Sequence, residues 1–165
     1  MTGSPASDPT MDAIAAAVTE GRSGNVDEAR RQLFALWQDI GVDGDPLHRC
    51  SLAHYLADLY DGPAQALTWD VRALDAAHAF SEKRTQDHHA ELHIAGFFPS
   101  LHLNLADNYC KLGSFEAARE HIDAAKECSS TLTDDPYGDL IRDAIGRVDA
   151  AISAGSGTDR TTTSP

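Results

Sequence analysis

Residues 101–125 read LHLNLADNYCKLGSFEAAREHIDAA, and this stretch decides the fold. Leu105 and Tyr109 stand four apart, so on a helix they share one face. Ala106 is small and lets a second helix approach closely. Gly113 can take the left-handed backbone conformation that ends a helix. Ser114 is placed to cap the next helix, and Phe115 and Ala118 turn its apolar side back onto the first. Ala125 is small again, at the expected second crossing.

The rest of the chain reads in the same way. It has 165 residues, enough for one domain with a sizeable core, and 42% of them are hydrophobic. Apolar residues recur at spacings of three and four, and no alternating strand pattern interrupts them. Stops fall at 21–25, 41–46, 61–63, 112–114 and 131–136. They divide the chain into short helices with short connections, which places neighbours antiparallel. The expected organisation is a disordered tail over 1–10, helix pairs over about 11–43, 46–80 and 99–130, an inserted segment at 81–98, a single amphipathic helix over 136–152 and a disordered tail over 153–165. Pro99 is expected to open the third pair.

Leu105, Ala106, Tyr109, Gly113, Phe115, Ala118 and Ala125 together resemble the tetratricopeptide repeat, a helix–turn–helix of about 34 residues. Ile122 stands where the family has an aromatic residue. A weaker likeness covers the first pair through Ala16, Ala17, Gly24, Val26 and Ala29, with Glu20 where a tyrosine is usual. The second pair carries it through Leu52, Ala53, Leu56, Ala66, Ala73 and Leu74. The resemblance implies an all-α chain built as a short right-handed α-solenoid, with 136–152 as its C-terminal capping helix.

It also implies a function. In such solenoids the first helix of each pair lines a concave groove that binds a partner protein or peptide. The matching positions here are Arg22, Ser51, His54, Asp58, Asn104, Asp107 and Lys111. The family's carboxylate clamp is not reproduced, because Asp107 stands where it needs asparagine and Ser100 where it needs lysine. Trp37 and Trp69 fall on second helices and are expected to pack in the interior.

The net charge of −13 argues against a nucleic-acid partner, which needs a basic face. No apolar run reaches the roughly 20 residues that span a bilayer, and 1–10 has no secretory pattern. A cytoplasmic protein with no cofactor and no catalytic function is therefore expected, and self-association into a homodimer is a further possible use of the insert or the outer face. The excess of alanine, aspartate and arginine fits a GC-rich bacterial genome. Cys50, Cys110 and Cys128 are widely spaced and read as free thiols.

One alternative is chemical. His88, His89 and His93 cluster in the insert, and His89 and His93 share a helix face at a metal-ligand spacing. A metal-binding protein or metal-dependent enzyme built on them is the second reading. Metal analysis of protein purified without a polyhistidine tag tests it. Stoichiometric metal that is lost on His89→Ala supports the reading, and no bound metal removes it.

Overall fold

The computed structural model describes residues 7–82 and 88–161; side chains 88–93 and 157–161 lie outside that description. Every regular element among the described residues is helical. The elements are α1 (Pro9–Arg22), α2 (Val26–Ile40), α3 (Pro46–Ala57), α4 (Pro63–Glu82), α5 (His88–Lys111), α6 (Phe115–Glu127), a 3₁₀ turn (Cys128–Thr131) and α7 (Pro136–Thr161). No helix among the described residues is long and apolar enough to cross a membrane.

Local chemistry sets the helix ends. Asp8 accepts from the backbone N–H groups of Thr10 and Met11 and caps α1, with Pro9 in its first turn. Asp45 caps α3 in the same way through Leu47 N–H, ahead of Pro46. Gly113 has φ of 76°, the left-handed value its place after α5 requires. Ser114 occupies the cap position of α6 but makes no side-chain capping bond, so the Gly113 turn carries that junction.

Each helix packs on the next in sequence, and α1 also touches α3, α3 touches α5, and α5 touches α7. Two hydrophobic cores result. The larger is built on Ile14, Ala17, Leu33, Leu52, Leu56, Trp69, Ala73 and Phe80. The smaller holds Leu103, Ala106, Ala118, Ile122, Ala125, Ile145 and Ile152. Helix α5 serves both, with Ile94 and Leu101 in the first and Leu103 and Ala106 in the second. Ala106, Ala118 and Ala125 have no solvent exposure, so the small residues of the third pair are all interior. Trp69 is buried; Trp37 is partly buried and meets it edge-on, with centroids 5.3 Å apart. Arg49 stacks over Trp37 and Arg72 over Trp69, each at 4.4 Å. The three cysteines are free; Cys50 is fully buried, and burial pushes its thiol up to about 12.

Three expectations need correction. The segment 81–98, readable as a continuation of the second pair's last helix or as a separate short helix, is divided instead: α4 takes Ser81 and Glu82, and the part from His88 onward is continuous with α5. Pro99 therefore lies inside a helix rather than opening one. Its missing N–H removes the usual donor to Ala95 O, and the Thr131 hydroxyl approaches that carbonyl at 3.3 Å, its single proton shared with Cys128 O at 2.8 Å. At the C-terminus, α7 runs beyond residue 152 to Thr161 instead of giving way to a tail. Ile152 is fully buried and Gly155 lies against the Phe115 ring, so packing carries the helix past the compositional break. At the N-terminus the Asp8 cap starts α1 at Pro9, inside the expected tail; residues 1–6 and 162–165 lie outside the described residues.

Two substitutions test this packing. Ile122→Ala should lower unfolding stability by about 3 kcal/mol, because it opens a cavity in the smaller core. Gly155→Ala would gain about 1 kcal/mol from helix propensity alone. A Cβ there would stand 2.3 Å from Phe115 Cε1, so a lower melting temperature is expected instead. In a Phe115→Ala background the same change should become stabilising. Additivity of the two changes in a double-mutant cycle would contradict the contact.

Candidate functional site

A cleft of about 480 Å³ opens between α1, α3, α5 and α7. Four of the seven residues expected to line a groove meet there: Arg22 from the last turn of α1, His54 from α3, Asp58 at the C-cap of α3, and Asn104 from α5. The walls are completed by Tyr55, by Gly96, Phe97 and Ser100 of α5, and by Tyr137 and Ile141 of α7. His54 packs edge-on against Phe97 with centroids 5.6 Å apart.

The other three predicted residues are placed differently. Ser51 lies one turn before His54, fully buried, and its hydroxyl has no hydrogen-bond partner. Asp107 lines a separate depression with Ala144, Arg147 and Val148. Lys111 is held by Asp107 at 2.6 Å in an exposed i, i+4 ion pair.

Beneath the cleft lies a polar centre that the sequence reading did not include. Asp70 of α4 is 1% exposed. Its Oδ2 accepts from Asn108 Nδ2 at 2.8 Å and its Oδ1 from Asn104 Nδ2 at 3.4 Å. The same Asn104 nitrogen also reaches Asp58 Oδ1 at 3.4 Å. One amide thus bridges a buried carboxylate and one at the exposed mouth of the cleft. Ser100, Asn104 and Asn108 stand four apart and form the polar stripe of α5 that makes this possible. The sequence signal was Asp70 itself, an acid among Ala66, Trp69 and Ala73 on the buried face of α4.

The electrostatics follow from this burial. Desolvation raises the Asp70 carboxyl to about 7, helped by the charges of Asp58 and Asp107 and opposed by hydrogen bonds from Asn104 and Asn108. Crowding by protein also raises Asp58, although solvent reaches it; His54, the Asn104 hydrogen bond and Arg22 draw it back. Burial lowers His54 and favours its neutral ring, against the pull of Asp58. Its Nδ1 is buried with no partner.

Comparison with protein-family models, curated proteins and solved structures gave no match. The site is therefore read from its own chemistry.

A second polar cluster lies apart from the cleft, on α4, α5 and α6. His102 Nδ1 and His121 Nδ1 are 3.0 Å apart, with the rings meeting nitrogen to nitrogen in one N–H···N hydrogen bond. Burial, His121 and His78 push His102 down to about 4, so the pair is neutral near pH 7. Among the described residues no group of three or more His, Cys, Asp or Glu side chains is arranged to hold a metal. The side chains of His88, His89 and His93 lie outside the described residues.

Asp70 gives a pH signature with a definite sign. Its folded pKa lies above its unfolded one, so the folded state binds the extra proton between about pH 4 and pH 7, and stability falls as pH rises through that window. His102 acts oppositely, since its folded pKa is depressed and its contribution is lost as pH falls below about 6.5. Asp70→Asn isolates the first effect because the histidine contribution is common to both proteins. The stability difference, variant minus wild type, should rise by up to about 4 kcal/mol from pH 4 to pH 8. Denaturant melts giving a pH-independent difference would show that Asp70 does not titrate in this range.

Proposed function

We propose that this chain is a partner-binding module of the tetratricopeptide type rather than a catalyst, holding an extended peptide or a helix of another protein in the α1/α3/α5/α7 cleft. The observation that carries this reading is the composition of the cleft: every residue lining it comes from α1, from α3 or its C-cap, from α5 or from α7. These helices touch in succession, α1 with α3, α3 with α5, and α5 with α7. That is the layer the resemblance makes concave in such a solenoid, and Arg22, His54, Asp58 and Asn104 all line the cleft in it. α7 extends the layer as an unpaired first helix, which fits a terminal cap with one side buried.

The chemistry of the cleft suits recognition. Tyr55, Phe97, Tyr137 and Ile141 offer apolar surface, and Tyr137 is 49% exposed. His54, Asp58, Asn104 and Arg22 offer a few polar groups that fix register. The acidic body favours a neutral or basic partner over a nucleic acid.

Selection from a displayed random-peptide library against the full chain tests the proposal. Selected peptides should bind the wild type and bind the Asp58→Asn, Tyr137→Ala double variant about tenfold or more weakly, a loss of about 1.4 kcal/mol. Circular dichroism of the variant checks that it folds. Failure to enrich any sequence, or binding indifferent to the double substitution, would remove the groove from the explanation.

A further inference from the structure

We propose that the cleft accepts a cationic side chain, lysine or arginine, from the partner segment, seated between Asp58 and Asp70 where the Asn104 amide now bridges them. The inference rests on the groove-binding reading above and names the chemistry of its anchor.

The geometry is that of two carboxylates held together without a cation. Asp58 and Asp70 share one Asn104 nitrogen at 3.4 Å each. Those contacts are longer than the usual 2.9–3.0 Å of an N–H···O bond. The amide's two N–H groups can serve one carboxylate each, but at that length both bonds are weak, and a guanidinium or ammonium in its place would give charge-assisted bonds to both. Asn108 holds the far oxygen of Asp70 at 2.8 Å, so that carboxylate is already oriented.

A second observation points to a ligand at the same place. His54 is 7% exposed, its ring lines the cleft, and its Nδ1 has no partner. An unsatisfied buried ring nitrogen is unfavourable, and a peptide group brought in beside the cation would supply the missing bond. Tyr55, Phe97 and Ile141 form a sleeve for the methylene stem of a long basic side chain.

The charges facing this point come from three elements besides α4. Helix α3 and its C-cap contribute His54 and Asp58, α5 contributes Asp107, and α1 contributes Arg22, which acts on Asp58. Lys111 is committed to Asp107. Asp58, Asp70 and Asp107 set against Arg22 and Lys111 leave one excess negative charge once Asp70 is ionised. Burial holds a proton on Asp70 that an incoming cation must displace, so capture should release a proton and tighten as pH rises.

The probe is n-butylguanidinium, titrated into the isotope-labelled full chain and followed by NMR, with neutral n-butylurea as its isosteric control. Saturable millimolar binding is expected to move the side-chain amide signals of Asn104 and Asn108. It should be about thirtyfold tighter at pH 8 than at pH 5.5 and about tenfold weaker in Asp58→Asn, whose position at the exposed mouth spares the core. No saturable shift, an equal response to butylurea, or indifference to Asp58→Asn overturns the proposal. A library-selected peptide that needs the cleft but keeps its affinity when its basic residues become norleucine also overturns it, while leaving the groove reading intact. The reverse result, saturable guanidinium binding with no selectable peptide, supports the cation site and removes the groove reading.

Discussion

Helix α5 must be apolar on two sides at once, and the rest of the molecule is arranged around that constraint. Ile94 and Leu101 enter one core, and Leu103 and Ala106 enter the other. Between them runs the stripe Ser100, Asn104, Asn108, of which Ser100 and Asn108 are buried. A helix with this surface must pack against α4 on one side and α6 and α7 on the other, and it must present amides to something polar. Asp70 answers the amides. The two cores and the polar centre are therefore consequences of one helix rather than three independent features.

The polar centre is unusual in what it does to stability. A carboxylate buried beside Trp69 with only amide donors is favoured as the neutral acid, and an asparagine of the same shape would serve the packing as well or better. The fold does not need a titrating group there. On the proposal above, the carboxylate is kept there to meet an incoming cation, at a cost in stability. The neutral His102–His121 pair differs: its hydrogen bond satisfies both ring nitrogens that face each other, and it asks for no further partner.

Much of the architecture was legible because it rests on local chemistry. The Gly113 turn, the small alanines of the third pair and the period of three and four are written in neighbouring residues, whereas the Asp8–Pro9 helix start fell inside the segment expected as a tail. What was not legible depends on distant ones. Pro99 looks like a helix start, yet Leu101 and Ile94 are both drawn into the same core and keep the helix continuous across it. The sequence 153–165 has the composition of a tail, but Phe115, forty residues earlier, lies where Gly155 can pack. Arg22, His54, Asp58 and Asn104 were singled out by repeat position, and the structure brings these four to one cleft. Asp70 could not, since its meaning comes from Asn104 and Asn108 on another helix, although its place on an apolar face was a visible irregularity.

Cys50 has a kinetic consequence. It sits one helical turn before His54 on α3, has no solvent exposure, and its thiol is held far from the reactive thiolate form. An alkylating reagent can reach it only when the helices part, so its modification rate measures how often α3 is released from its neighbours. Cys110 and Cys128 are partly exposed and record the reagent's access to the unopened molecule. The chain thus carries its own clock and its own reference. A ligand seated against His54 and Asp58 would slow the clock without touching the reference, reporting occupancy with no label added.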